Sequence, residues 1–408
     1  MDMHAPAGAE AAVVAWLESQ RGAMLDAVRA LVDTDGGSYD KAGVDAVGAQ
    51  VARFLAEHGV PVSTTPGTSH GDVLRATVGE ADAPVPGPQG APRTGNARRR
   101  NVVLMGHMDT VFPRGEPSRR PFRVEGGRAY GPGVCDMKAG VVMNMFVLAA
   151  FARFGGAPGP LVGLFTGDEE IGSPEGRAAI EAEARAARAV FNSEPGRPSG
   201  AVVTGRKGGV FSVVDIEGRA AHSGGNFEAG ISAIGELAHK TLAVHALTDL
   251  KRGITLNVGL VSGGQSVNTV APSAQMQVDL RYVAPRDREE AVAALHAVVA
   301  KAHVPGTRAA LTIRGEFVPL TQTPDAARLF EGYRAAAAES GLPPVEGEFA
   351  GGCADSGFTA AVGAPTLCSV GPVGGKAHSP DEYLEVESMV PRAVALARAI
   401  CRLDATGL

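Results

Sequence analysis

Apolar positions recur at helical spacing from Ala9 to Val32 and again from Val44 to His58, where Gly59-Val60-Pro61 stops the pattern. Short apolar runs follow at 60–65 and 73–78. The stretch from Asp82 to Arg100 is rich in Pro, Gly and Ala with almost no large apolar residue, and reads as a flexible insertion outside any core. From residue 101 the pattern becomes strand (102–105), helix (138–154), strand (160–166), helix (175–187) and strand (188–192). That alternation predicts an α/β domain built on a mostly parallel sheet with helices on both faces. Around Lys207 the rhythm changes. Strand-like runs at 209–217, 254–262, 274–282 and 308–315, with helices at about 228–247 and 286–301 between them, predict a βαββαβ unit of antiparallel character. It reads as a second domain, 207–316, inserted in a discontinuous first domain of 1–206 and 317–408. The first pattern resumes with a helix at 324–340, a Gly-rich loop at 350–357, a strand at 365–370 and a closing helix at 385–402.

At 408 residues, 45% of them hydrophobic, the chain exceeds a single core and carries enough apolar material for two. A net charge of -6 with scattered basic residues leaves no footprint for nucleic acid. The one basic cluster, Arg98-Arg99-Arg100, follows a segment poor in aromatics and reads as a solvated loop end. Residues 1–20 carry Asp2 and no basic region ahead of an apolar stretch, unlike a secretory signal. The longest apolar run, Val141 to Phe151, is interrupted by Asn144 and is too short to cross a bilayer, so no membrane partner is expected. Four cysteines at 135, 353, 368 and 401 show neither close pairing nor zinc-finger spacing, and a cytoplasmic location fits them.

The candidate chemistry begins where the run 102–105 ends, in Gly106-His107-Met108-Asp109. Residues i and i+2 of a strand point the same way, so an imidazole at the strand's carboxyl edge can bind a metal while the aspartate orients it from behind. Further candidate ligands follow at Asp136, Glu169-Glu170, Glu194 and His378, and ligand sites of such sheets gather at the carboxyl ends of strands. Two neighbouring divalent ions need a bridging carboxylate, imidazole and carboxylate ligands on either side, and one free carboxylate to take a proton from water. Adjacent side chains diverge, so one of Glu169 and Glu170 can hold metal while the other faces the water. Taken alone, the pair equally fits charges at a helix N-terminus. Cys135 reads as a small packing residue beside Asp136, Arg206-Lys207 as hinge or solvent charge, and His58, His70, His239, His245 and His303 as surface or core histidines.

His107-Met108-Asp109, Gly131-Pro132-Gly133 through Asp136, Asp168-Glu169-Glu170, Ser193-Glu194-Pro195 and Ala377-His378-Ser379 stand in the order and approximate spacing of the M20 metallopeptidases. The resemblance covers most of the chain and is nearest to the glutamate carboxypeptidase branch. It implies a zinc-peptidase-like catalytic domain, a ferredoxin-like dimerisation or lid domain, a homodimer, and two Zn2+, with Mn2+ or Co2+ as alternatives. It implies that His107 and Glu194 hold one metal, Glu170 and His378 the other, and that Asp136 bridges. Asp109 would orient His107, and Glu169 would be the general base. By the same resemblance, His222 would stabilise the oxyanion across a dimer interface, Asn268 and Arg281 would contact substrate, and Gly352 would lie in a substrate-side loop. Arg281 equally fits a strand residue paired with Asp279, and residues 351–355 a plain turn. Where the glutamate-releasing members carry a second arginine, this chain reads Arg314-Gly315-Glu316, and an acidic residue there would repel a second substrate carboxylate. The substrate implied is a small peptide or N-acyl amino acid, cleaved by a carboxypeptidase or N-acyl-amino-acid deacylase. An aminopeptidase or dipeptidase, using Glu316 to hold an ammonium, and a non-catalytic binding protein on the same scaffold are the alternatives.

Overall fold

The computed structural model describes residues 7–91 and 100–408. The chain falls into two compact units: one is the chain up to Gly205 with Leu320–Phe349 and Ala354–Leu408, the other Arg206–Pro319 with Ala350–Cys353. In the first, the stretch 9–32, expected as one helix, is two, α1 (Ala7–Ser19) and α2 (Arg21–Val32). The Ser19 hydroxyl donates back to the Trp16 carbonyl at 2.7 Å, a local partner that competes with continuing the helix. Helix α3 (Lys41–Glu57) is capped by Asp40, whose carboxylate accepts the Gly43 N–H at 3.1 Å.

Strands β1 (Val62–Thr65) and β2 (Gly71–Val78) lead to β3 (Asn101–His107), α4 (Glu116–Arg119), β4 (Arg123–Glu125), β5 (Arg128–Tyr130), α5 (Ala139–Phe154), β6 (Leu161–Gly167), α6 (Gly176–Ala186), β7 (Ala187–Asn192) and β8 (Val202–Arg206). The second unit holds β9 (Gly208–Glu217), α7 (Ala233–His245), β10 (Thr255–Gly263), β11 (Ser273–Tyr282), α8 (Pro285–Ala300) and β12 (Arg308–Phe317). The chain then closes the first unit with α9 (Pro324–Glu339), β13 (Gly347–Ala350), α10 (Ser356–Ala361), β14 (Thr366–Cys368), β15 (Gly374–Gly375), β16 (Tyr383–Glu385) and α11 (Met389–Cys401).

The large sheet runs β1-β2-β6-β3-β7-β14-β8-β13. Its centre, β6-β3-β7-β14, is parallel, and β1-β2, β2-β6 and β14-β8 pair antiparallel. The expected α/β fold is therefore present, with its parallel strands in the middle. Every residue of β3 and of β6 is buried. Because alternate side chains point to opposite faces, that pattern requires cover on both sides. Helix α5 supplies much of it, and its mostly apolar span Val134–Phe154 is buried in this core. A small antiparallel sheet, β15-β16-β5-β4, was not expected, because strands of two or three residues leave no periodicity to read.

Of the segment expected as a flexible insertion, residues 82–91 are tied to α6, while 92–99 lie outside the described residues. Val85 donates its N–H to Ala182 at 2.8 Å, Gly90 donates to Glu181 at 2.9 Å, and the Arg185 guanidinium donates to the Pro88 carbonyl at 2.7 Å.

In the second unit the sheet runs β10-β11-β9-β12, all antiparallel, which with α7 and α8 is the expected βαββαβ, ferredoxin-like arrangement. Its core gathers Val214, Ile216, Leu256, Met276 and Leu280. Helix α7 starts at Ala233, later than the pattern suggested, because Ser232 caps it by accepting the Gly235 N–H at 3.0 Å. Residues 350–353 belong here because Lys207 donates its N–H to the Ala350 carbonyl at 3.1 Å and Arg206 donates to the carbonyls of Gly352 and Cys353 at 3.3 and 3.4 Å. Arg206 is buried and Lys207 donates from Nζ to the Gly253 carbonyl at 2.6 Å, so neither is free solvent charge.

Candidate metal centre

The register of the parallel strands brings the acidic and imidazole groups together. His107, the last residue of β3, lies opposite Thr166 of β6, and Met105 lies opposite Asn192 of β7. Glu169 and Glu170 therefore leave β6, and Glu194 leaves β7, on either side of His107. Asp136 arrives from the turn before α5. That turn approaches closely because Gly140 has no side chain: a Cβ there would stand 2.0 Å from the Ser193 carbonyl oxygen. His378 comes from the loop between β15 and β16, held at a φ of 63°.

Asp136 sits between two imidazoles. Its Oδ1 is 3.2 Å from His107 Nε2 and its Oδ2 is 3.3 Å from His378 Nε2. On the His107 side, Glu194 Oε1 lies 3.8 Å and Glu169 Oε2 3.9 Å from Nε2. On the His378 side, Glu170 Oε2 lies 3.1 Å from Nε2. One donor atom from each of His107, Asp136 and Glu170 falls within 4.8 Å of the others. Donors bound to one ion at about 2.0–2.1 Å in a tetrahedron lie roughly 3.3 Å apart, so these separations suit a shared divalent cation. Glu170 Oε1 is buried without a hydrogen-bond partner, a further sign that the cluster is built for a cation. Imidazole with carboxylate is a donor set that suits zinc, and manganese or cobalt less selectively.

The charges agree with the geometry. Burial opposes an imidazolium at His107, yet hydrogen bonds to Asp109 and Asp136 outweigh it and raise the group well above the ordinary histidine range. Hydrogen bonds to Asp136 and Glu170 hold His378 up at about 10. Burial would raise Asp136, but its bonds to His107 and His378 win and keep it well below the usual carboxylate range. Burial and the charge of Asp136 push Glu170 up to about 7. Burial also raises Glu169 well above the usual carboxylate range, partly offset by His107 and reinforced by the charges of Glu194 and Asp355.

Asp109 lies behind His107. Its Oδ1 is 3.3 Å from His107 Nδ1 and accepts the Glu169 N–H at 3.1 Å, while its Oδ2 accepts from the Ser38 hydroxyl at 2.6 Å and the Glu170 N–H at 3.2 Å. Sequence reasoning missed Ser38, and it missed Glu382, which accepts the N–H groups of Gly133, Cys135 and Asp136 at 3.1, 2.8 and 2.9 Å. The faint signal for Glu382 was its place four residues after His378. Asp355, expected only as part of the substrate-side loop 351–355, is bonded to the Ser173 hydroxyl. Cys135 is buried in the core, in keeping with a packing role.

The remaining candidates lie in the second unit. His222 pairs with Thr269, and Ser223 donates its N–H to the Asn268 carbonyl at 2.9 Å, which brings His222 and Asn268 to one exposed edge. His222 Nδ1 accepts the N–H groups of Gly224 and Gly225 at 3.2 and 3.0 Å, leaving Nε2 to carry the proton. Arg281 is engaged on every nitrogen: Asp279 accepts from it at 2.8 and 3.2 Å, and its third nitrogen lies 2.6 Å from Cys353 Sγ, next to Gly352. The pairing with Asp279 is thus the one present. Glu316, expected to carry an unpaired charge, instead accepts two bonds from Arg288 at 2.7 and 2.8 Å, which neutralises it. The repulsion argued against a second substrate carboxylate falls with that pair.

Clustered imidazole and carboxylate donors at the carboxyl ends of parallel strands define a metal-dependent hydrolase. Residues 103–402 match the model described as Peptidase family M20/M25/M40, and the chain belongs to that family, an enzyme of the metallopeptidase and amidohydrolase class. Carboxypeptidase G2 of Pseudomonas sp. (strain RS-16) is 29% identical over 309 residues, 75% of this chain and 74% of that protein. The M20 family metallo-carboxypeptidase Sso-CP2 from Sulfolobus solfataricus shares the fold with a TM-score of 0.74 at 16% identity, over 93% of this chain and 98% of its own. The aminopeptidase PepT from Bacillus cereus ATCC 10987 shares it with a TM-score of 0.68 at 21% identity, over 94% and 99%.

Proposed function

We propose that this enzyme is a two-metal hydrolase that cleaves an amide bond to release a C-terminal or N-acylated amino acid, as a carboxypeptidase or N-acyl-amino-acid deacylase. The observation that carries the reading is Asp136 shared between His107 and His378, each with its own carboxylate neighbour. His107 and Glu194 would hold one ion, Glu170 and His378 the other, and Asp136 both. Two zinc ions bound there would supply Lewis acidity to the water and to the substrate carbonyl.

The chain's own residues do the rest. Glu169, with its proton affinity raised by burial, takes a proton from the attacking water and returns it to the leaving nitrogen. Asp109 fixes the orientation of His107 and the backbone that carries Glu169. His222, with its proton on Nε2, is suited to donate to the oxyanion from a second copy of the chain in a homodimer. The neutralised Glu316 argues against the aminopeptidase alternative, because it leaves no free acid there to hold a substrate ammonium. None of the four cysteines is in a disulfide, which supports a reducing, cytoplasmic setting.

The test is hydrolysis of N-acyl amino acids and of N-blocked and free dipeptides, alongside metal analysis of the purified enzyme. Cleavage of blocked substrates with two metals per chain is expected. A strict requirement for a free amino terminus would overturn the reading.

A further inference from the structure

One cleft of the first unit borders the metal centre and, Glu170 apart, has no part in the chemistry described. Its walls are two loops, 37–40 and 110–114, and its floor is Glu170 with Ile171. The loops are stitched by backbone: Thr110 donates its N–H to Gly36 at 2.7 Å, and Ser38 donates to Thr110 at 3.1 Å. Gly37 permits this closeness, since a Cβ there would lie 2.3 Å from the Phe112 carbonyl oxygen. The walls are thus set before any ligand arrives. A cleft volume of about 610 Å³ lies within the usual range of small-molecule sites.

Apart from Arg114, whose side chain is 67% exposed, the lining is apolar where it meets water. Tyr39 is 84% exposed and Val111 43% exposed, and Phe112, Pro113 and Ile171 continue the surface towards Glu170. Contiguous apolar side chains left in water and rimmed by polar groups are a mark of ligand-binding grooves. The one basic group of the lining, Arg114, is bound through two nitrogens to Asp40, which also caps α3. Asp40 and Glu170 are acidic. The cleft therefore offers no free cation to a carboxylate, and the carboxylate-bearing half of a substrate has no partner in it.

We infer that this cleft is a subsite for an uncharged aromatic or branched aliphatic acyl group adjoining the scissile amide, an inference that rests on the hydrolase reading above. Glu170 anchors the geometry, because the same side chain that stands 3.1 Å from His378 forms part of the cleft. An acyl group seated against Val111 and Ile171 would lie beside the atoms that cleave its amide.

Two measurements test it. In methyl NMR spectra, benzamide should shift the Val111 and Ile171 resonances while acetamide leaves them in place. In kinetics, N-benzoyl amino acids should exceed N-acetyl amino acids in kcat/KM, and Val111→Asp should lower that ratio by about tenfold or more, the scale on which apolar pockets discriminate. Unmoved methyl resonances, or a ratio unchanged in the variant, would overturn the subsite. Hydrolysis of neither substrate, with benzamide still shifting both methyls, would overturn the hydrolase reading and uphold recognition by the cleft.

Discussion

Glu382 accepts the backbone N–H of Asp136 at 2.9 Å from a position with no solvent exposure. With Gly133 and Cys135 donating to the same carboxylate, one buried side chain holds the whole turn that presents Asp136. Partners behind metal ligands are worth about 10–100-fold in metal affinity, so Glu382→Ala should weaken binding on that scale. Glu382→Gln, which keeps an oxygen for Cys135 and Asp136 but turns an amide towards Gly133, should fall between. Competition against a chromogenic chelator measures both, and a folded alanine variant with unchanged affinity would refute the role.

Glu169 makes a different prediction. As the proton carrier it should be dispensable for holding metal, so Glu169→Gln should lower kcat by roughly 10²–10⁴-fold while the metal content stays at the wild-type level. Stoichiometry by mass spectrometry and steady-state rates separate the two effects. Loss of metal with loss of rate would mark Glu169 as a ligand instead.

The pH dependence of the metal-free protein should report its buried carboxyls. Burial, opposed by the Ser173 hydroxyl and reinforced by the charge of Asp168, pushes Asp355 up to about 8 from an unfolded value of 3.8. Between those values the native state keeps a proton that the unfolded chain has released, so stability falls as pH rises from about 4 towards 8. Glu170 acts in the same direction. Asp355→Asn cannot ionise and should make the decline shallower in denaturant melts across this window. An identical slope in the variant would mean that Asp355 stays charged in the folded protein.

Metal removal should be felt in stability as well as in rate. Asp136, Glu169, Glu170 and Glu194 crowd one site, and a cation that binds only the folded chain stabilises it by mass action, about 2.7 kcal/mol at a hundredfold excess over Kd. Chelation should lower the thermal midpoint, and added Zn2+ should restore it. A midpoint indifferent to both would exclude a metal-stabilised centre.

The long elements were legible in the sequence because burial on one stripe or on both faces writes a period into the residues, as at β3, α5 and β11. His107, Asp136, Glu170, Glu194 and His378 were legible because each stands in a recognisable motif at or just beyond the end of an element or in a turn. Glu382 was not, since its importance arises only when the turn 133–136 folds over it. Glu316 was misread for a related reason: its partner Arg288 lies on α8, and an ion pair between distant residues leaves no local mark. The break at Gln20 escaped because the apolar stripe continues across it while the hydrogen bonds do not.

Asp109 touches His107 through one oxygen and receives the backbone of Glu169 and Glu170 through both. Ion capture and proton handling are therefore mechanically yoked, and selection cannot adjust one without disturbing the other at this position. A descendant that kept its metal but lost its chemistry would arise through the Glu169 side chain, which hangs free of the yoke, whereas a lineage that changed Asp109 would surrender both capacities in a single step.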